Sequence, residues 1–506
     1  MRARGLVLVG AAAGTCALVG AAAVTSPSLA IAAALCGFGG TLAWTAGERM
    51  HRVFFAAMLV LLAGYALLGR GFAYLGVPPL YVGELVLALG MAALVFGGPA
   101  ASGRVTVPLM AVIAFVIWGM LRTLPYVGQY GSFALRDAVL WGYGGFALVL
   151  AMLLRDGSRL DAVPRIYARW LMWFTCWVPL AWAINYFVGE RIPKVGASDV
   201  SLLSFKPGDA AVHLAGVAAF LFVRPSGWQV RMGPLVIPNG VIWVVWLVGA
   251  MIVAAGNRGG MLAIIAALLT VAAFRPRGSG TTLLRLGTAV VVFGGLLVLA
   301  GNPTFVDVTN TDGEREISVQ QLVDNILSLT GGGSQTGLIG TREWRLLWWR
   351  RILDYTVFGD YFWTGKGFGI NLADADGFQL DDEGALRSPH NGHLTVLARA
   401  GVPGIVLWTL FIVTLGLALA RRAARVRGAG DGTSARLALW LIAYLVAFLV
   451  NAAFDVYLEG PQGGIWFWSV AGLALALVGT AEPPPASPSG RAARAAPPAR
   501  VTGLSA

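Results

Sequence analysis

Four histidines occur in the 506-residue chain, and two of them, His390 and His393, fall within one helical turn of the stretch SPHNGHLTVLARAGVPG (388–404). An imidazole with an ordinary pKa of about 6.5 is mostly neutral at physiological pH and can accept a proton, which suits it to general-base work. The i,i+3 pair could also hold a metal ion, but a third ligand is needed and nothing nearby specifies one, so no metal is expected. Arginines supply the complementary chemistry. Arg258 lies in GNRGG (256–260) and Arg342 in TREWRLLWWRRILDYT (341–356). Guanidinium forks match phosphate oxygens bidentately, and helix N-termini add backbone donors. A base and several fixed cations beside lipid are what transfer from a polyprenyl-diphosphate donor needs, because the leaving diphosphate develops negative charge.

The elements that must position these groups are membrane spans. Apolar residues make up 57% of the chain, charged residues 12%, and the mean hydropathy is +0.72. An average soluble domain is about 25% charged. Apolar runs of roughly 20 residues, the length that crosses a hydrocarbon core of about 30 Å, recur throughout. Fourteen are predicted, at 5–24, 27–46, 53–69, 80–97, 105–121, 134–154, 167–188, 209–223, 234–255, 260–274, 286–301, 402–420, 437–456 and 464–481. The first has the charged start and apolar core of a signal peptide, yet a second apolar run follows at once, so it is read as a retained span.

Orientation follows from the basic residues. With the N-terminus inside, 22 of the 37 Lys and Arg fall on the cytoplasmic side and 15 outside, eight of those in one long loop. Over short connections the contest is 22 against 7, a strong positive-inside bias. The net charge of +12 is therefore a topology signal, and no nucleic-acid partner is expected. Cys16, Cys36 and Cys176 all lie in apolar runs and carry no disulfide or metal pattern. The expected organisation is a bundle of about eleven spans (1–301), an extracytoplasmic loop (302–401), about three further spans (402–481) and a Pro/Ala/Arg-rich disordered cytoplasmic tail (482–506).

The loop has two characters. Residues 302–340 are polar and glycine-punctuated, and read as mobile. Thr341 is the expected N-cap of a helix on which Trp344, Leu347, Trp348 and Arg351 share a face, a basic amphipathic surface suited to the membrane interface. GKGFGIN (365–371) reads as a tight turn, and the acidic DADGFQLDDEG (374–384) as solvated loop. Pro389 bars a helix before it, placing His390 at a helix start where the twelfth span reaches the surface.

Three of these segments, GTREW (340–344), GKGFG (365–369) and PHNGHLTVLARAGVPG (389–404), taken in order, resemble the signature region of the O-antigen ligase and O-antigen polymerase superfamily. GNRGGMLAIIAALL (256–269) resembles that family's Arg-Gly segment entering a span, with Asn257 where serine is usual. The resemblance runs from about Asn257 to Trp408. It implies an all-α integral membrane protein of about 12–14 spans, GT-C-like, with one long extracytoplasmic loop carrying short helices. It further implies a metal-independent, inverting glycosyltransferase without cofactor, acting on an undecaprenyl-diphosphate-linked glycan at the outer face of the plasma membrane. By position, His390 would activate the acceptor hydroxyl, and Arg258, Arg342 and Arg345 would engage the diphosphate. Asn391 would orient the imidazole or the sugar, with His393 and Arg387 as further orienting groups. The pattern does not separate a ligase, which moves a finished chain to another acceptor, from a repeat-unit polymerase. A transporter or flippase is the alternative class. Its candidate ionisable groups are Glu84, Asp209 and His213, which are read here as structural.

Overall fold

The computed structural model describes residues 48–480 apart from 78–79, 98–103, 156, 197, 225–227, 277–278, 300–303, 309–314, 319–335, 381–383, 385 and 428–431. The first two expected spans, with Cys16 and Cys36, and the C-terminal tail lie outside the described residues.

Every apolar segment expected from residue 53 onward is helical. The helices are α1 (Glu48–Leu68), the single turn α2 (Arg70–Ala73), α3 (Val82–Phe96), α4 (Val107–Tyr130), α5 (Ser132–Gly142), α6 (Gly144–Leu153), α7 (Gly157–Val188), α8 (Pro207–Val223), α9 (Asn239–Gly256), α10 (Arg258–Phe274) and α11 (Ser279–Leu299). After them come α12 (Thr336–Thr356) and α13 (Leu372–Asp376) in the loop, then α14 (Gly392–Ala423), α15 (Thr433–Ala452) and α16 (Pro461–Gly479). Strands are confined to three two-stranded hairpins. One of them, Thr304–Val308 with Arg315–Ser318, falls in the segment read as mobile from its composition.

Among the described residues, seven helices are long and apolar enough to cross a membrane, or eight if α5 and α6, bent by 40°, form one span. This is an all-α polytopic membrane protein. Three further apolar helices, α3, α8 and α10, are shorter, at 15, 17 and 17 residues. At 1.5 Å per residue a 17-residue helix covers about 25 Å, short of the bilayer core. α8 is buried all round from Ala210 to Val223, as expected for a helix with no polar face. It forms the centre of the bundle with α10, α15 and α16.

Two helices depart from their expected bounds in ways that shape the site. α4 continues nine residues past the expected 121, and the extra turns carry Arg122, Tyr126 and Tyr130. α14 begins ten residues early, at Gly392, and is broken at Gly401 (φ 70, ψ −170). A side chain at Gly401 would lie 2.6 Å from the Phe362 carbonyl oxygen, so this break needs glycine twice over, for its dihedral and for its space. A short outer helix, 392–400, thus precedes the expected span.

Candidate functional site

The site is assembled where helix ends meet, and glycines set how closely they meet. In GNRGG, a Cβ at Gly260 would lie 2.7 Å from the Ala211 methyl, and one at Gly259 would lie 2.9 Å from Cβ of Phe454. Gly256 and Gly208 play the same part against Pro207 and the Asn257 side chain. The start of α10 therefore seats directly on the start of α8 and on the turn after α15. Asn257 caps α10, its Oδ1 accepting from the Gly260 amide (2.7 Å), a role an Asn or Ser fills equally well. Arg258 follows, half-buried at this junction.

The outer loop is a small folded unit with its own core. Trp348, Ile352, Leu372, Ala373, Leu397 and Ala398 are buried together. Trp348 stacks on Phe378 with ring centroids 5.3 Å apart and donates its indole N–H to Asp376 Oδ2 (2.7 Å). The expected lipid-facing tryptophan face is thus corrected: Trp348 packs on α13 and α14, while Leu346 and Leu347 are exposed. The periodicity showed an apolar stripe but not its partner, because α13 had been read as solvated loop. The helix start is corrected as well, to Thr336 instead of the residue after Thr341. The side chain of Arg342 lies outside the described residues. Arg345 donates to the Phe454 carbonyl (3.3 Å), and Trp349 Nε1 to the Pro389 carbonyl (2.9 Å). These two bonds hold α12 against both the α15 turn and the histidine strand.

GKGFGIN is a structural clamp. Gly365, Gly367 and Gly369 all have positive φ, and side chains at Gly367 and Gly369 would run into the rings of Tyr126 and Tyr130. Lys366 and Gly367 donate backbone bonds to the carbonyls of Ala398 and Arg399 (2.7 and 3.0 Å), tying the turn to the outer part of α14. Trp118 and Arg122 of α4 reach the carbonyls of Ala400 and Thr364, both at 2.8 Å.

Asp137 of α5, which the sequence reading did not single out, lies beneath this clamp. Its Oδ2 takes the Gly369 amide (2.9 Å), Arg399 Nη1 (2.9 Å) and Arg387 Nη2 (3.3 Å). Arg387 also donates to the Gly369 carbonyl (2.9 Å) and lies 4.7 Å over the Phe133 ring. Arg387, expected as an orienting group, is thus also bonded into the clamp that fastens the loop. Arg399 is 2% exposed, so Asp137→Ala would leave a buried guanidinium without its counter-ion. Breaking such a pair costs about 3–5 kcal/mol, and the outer loop of that variant is expected to become protease-sensitive at temperatures the parent tolerates.

His393, expected as an orienting group, is hydrogen-bonded at both ring nitrogens. Its Nε2 donates to the Leu449 carbonyl (3.0 Å) and its Nδ1 accepts from Trp408 Nε1 (3.0 Å), so both ring nitrogens are committed to packing. Asn391 is the N-cap of α14, its Oδ1 accepting from the amides of His393 and Leu394 (both 3.1 Å). It positions the helix, and through it the preceding residue.

That residue is His390. It is one of two non-glycine residues with positive φ among those described (φ 53), a conformation imposed by the turn between Pro389 and the cap. Its Nδ1 is buried without a hydrogen-bond partner. Burial pushes the imidazole pKa down to about 4, assisted by the positive charges of Arg345 and Lys206 and opposed by Asp455. Lys206, the residue before α8, pairs with Asp455 at 2.7 Å. Nearby on α15, Asn451 is fully buried with neither side-chain atom hydrogen-bonded, and its Oδ1 would lie 3.5 Å from a Cβ at Gly259. The structure therefore gathers His390, Arg345, Arg258, Lys206, Asp455 and Asn451 around the turn that follows α15. Neither Lys206, Asp455 nor Asn451 carries a motif; only the meeting of α8, α10 and α15 gives them a common address.

The groups considered for a transport role are held in place by the fold. Glu84 accepts from the Tyr143 hydroxyl (2.7 Å) and the Tyr81 amide (3.2 Å). His213 lies between the hydroxyls of Tyr444 and Tyr457, at 2.6 and 3.2 Å. Asp209 is the exception: its backbone N–H donates to the Lys206 carbonyl (3.1 Å) at the start of α8, but its carboxylate Oδ1 is buried without a hydrogen-bond partner, beside Lys206 and Asp455.

The fold is that of a polytopic helical membrane protein whose loop packs on the bundle where a buried imidazole, arginine, lysine and aspartate side chains meet. Residues 243–409 match the family model of the O-antigen ligases (Wzy_C), a segment running from α9 into α14 and containing Arg258, Arg342, Arg345 and His390. The match supports the O-antigen ligase and polymerase superfamily for this chain. No curated protein matches it.

Proposed function

We propose that the chain is a glycosyltransferase that moves a glycan from an undecaprenyl-diphosphate-linked donor to an acceptor hydroxyl at the outer face of the plasma membrane, in cell-surface polysaccharide synthesis. The observation that carries this reading is the convergence of a buried, partner-free imidazole nitrogen and three cations from separate elements on one turn. His390 takes the proton of the acceptor hydroxyl as its oxygen attacks the anomeric carbon. The bond from that carbon to the diphosphate oxygen breaks on the opposite face, and the electron pair leaves with the diphosphate. Arg258, Arg342 and Arg345 receive the charge that develops there. A single displacement of this kind inverts the anomeric centre. It needs no metal, so chelators are expected to leave the rate unchanged.

The electrostatics support an ordered reaction. Burial first, and then the positive charges of Arg345 and Lys206, make His390 a poor base. A bound diphosphate neutralises those cations, raises the imidazole pKa toward the range in which a base works well at neutral pH, and so couples proton abstraction to donor binding.

Purified protein in lipid, given lipid-linked repeat units with and without a separate acceptor, tests the reading. Chain growth on the carrier identifies a polymerase and transfer to the second acceptor a ligase. If an intact preparation with bound lipid-linked glycan does neither, the proposal is wrong. Orientation is tested by labelling: a cysteine at the exposed Glu343 position is expected to react with an impermeant reagent applied from outside.

Asn451 gives a more selective test. A buried amide with no protein partner lowers stability, and a ligand that satisfies it recovers that cost. Asn451→Leu is expected to leave thermal stability unchanged or higher while raising KM for donor about tenfold, a split that a purely structural asparagine would not give.

A further inference from the structure

Below the site, α14 and α15 leave an apolar cavity of about 110 Å³ between them. Phe411, Leu415 and Leu419 of α14 and Leu445 and Leu449 of α15 form its walls, together with Gly416. A Cβ added at Gly416 would meet nothing within 4 Å, so open space begins where that side chain is missing. One end of the cavity lies toward the proposed site. Leu449, at its outer end, is the residue whose carbonyl holds His393. Little more than one turn further along the chain is Phe454, whose carbonyl holds Arg345.

We infer that this cavity is the seat of the isoprenoid chain of the lipid-linked donor, an inference that rests on the lipid-diphosphate reading above. A diphosphate held by Arg258 and Arg345 has its hydrocarbon attached directly below, and the chain must pass from the recess into the bilayer. The groove between α14 and α15 opens about one helical turn beneath that point and presents only apolar side chains. A cavity of this order accommodates about one branched five-carbon unit, since a dry apolar cavity of about 150 Å³ holds a benzene ring. The lipid tail then fixes the register of the diphosphate against the arginines, and remote binding energy is used to place the anomeric carbon before His390.

Gly416→Trp tests this because Gly416 lines the cavity, a Cβ there meets nothing within 4 Å, and leaving glycine favours the helix, so the indole is directed at the space the lipid would take. Leu417→Trp, at a position 51% exposed on the same helix, is the control. Two measurements are made on the full-length protein in lipid. The first is photolabelling by a long polyprenyl diphosphate carrying a diazirine in its isoprenoid units. The second is transfer from long-chain donors and from donors with two isoprene units. In the parent, label is expected on residues 411–419 and 442–449. Gly416→Trp is expected to lose it and to raise KM for the long-chain donor about tenfold or more, with the short-chain donor and Leu417→Trp unaffected. Label falling on other helices, an unchanged long-chain KM, or complete displacement of label by ordinary phospholipid would each overturn the assignment of the groove. Failure of the parent to bind polyprenyl diphosphate at all would instead remove the donor reading, and this inference with it.

Discussion

Replacing His390 with alanine is expected to lower glycan transfer by about 10²–10⁴-fold, the range that a positioned general base contributes. Insertion and thermal stability should be unchanged, because the ring makes no hydrogen bond through Nδ1 and leaves the helix cap of Asn391 intact. The pH dependence separates this role from a structural one. A base must be neutral to act, and burial together with Arg345 holds the His390 pKa down to about 4 in the free protein. The acid limb of kcat/KM, which reports the free protein, is therefore expected near pH 4, far below an ordinary histidine limb. With the donor bound, the negative diphosphate offsets Arg345 and Lys206 and the pKa rises. The acid limb of kcat should accordingly lie at higher pH than that of kcat/KM. Coincident limbs near pH 6.5 in both parameters would show that His390 is not the base.

The second large effect is expected at Arg345. Arg345→Gln removes a fixed cation beside the leaving group, and the loss of one such preorganised donor costs about 10²–10³-fold in kcat. Lysine should restore only part of this, since a point charge cannot donate the fork that a phosphate accepts from arginine. The same substitution has a diagnostic sign. Arg345 lowers the His390 pKa, so its removal must shift the acid limb of kcat/KM upward, whereas Asp455→Asn must shift it downward. Opposite shifts from two substitutions on either side of one ring would place His390 between them in solution. Shifts in the same direction, or none, would separate these residues from the base.

Much of the architecture was legible from the chain alone. Hydropathy marked the apolar helices of the bundle from residue 53 onward, because burial in lipid demands continuous apolar runs whatever the packing. The position of His390 at a helix start followed from Pro389, a local steric matter. What local pattern could not give was the partner of each surface. Trp348 looked like a membrane anchor because an apolar stripe carries no record of what covers it. His393 and Arg387 looked like substrate ligands because they stand beside His390 in sequence, whereas the fold commits one to Leu449 and Trp408 and the other to Asp137.

By itself, the sequence determined the class of protein, the run of helices and one candidate imidazole with its neighbouring arginines. Only the tertiary structure decided which polar groups share a recess. Lys206, Asn451 and Asp455 have no motif and stand tens to hundreds of residues from His390. They acquire chemical meaning because glycines at 208, 256, 259 and 260 let helix ends approach to backbone contact. Proximity across a bundle is set by helix packing, and helix packing is a property of pairs of surfaces that no single stretch of chain contains.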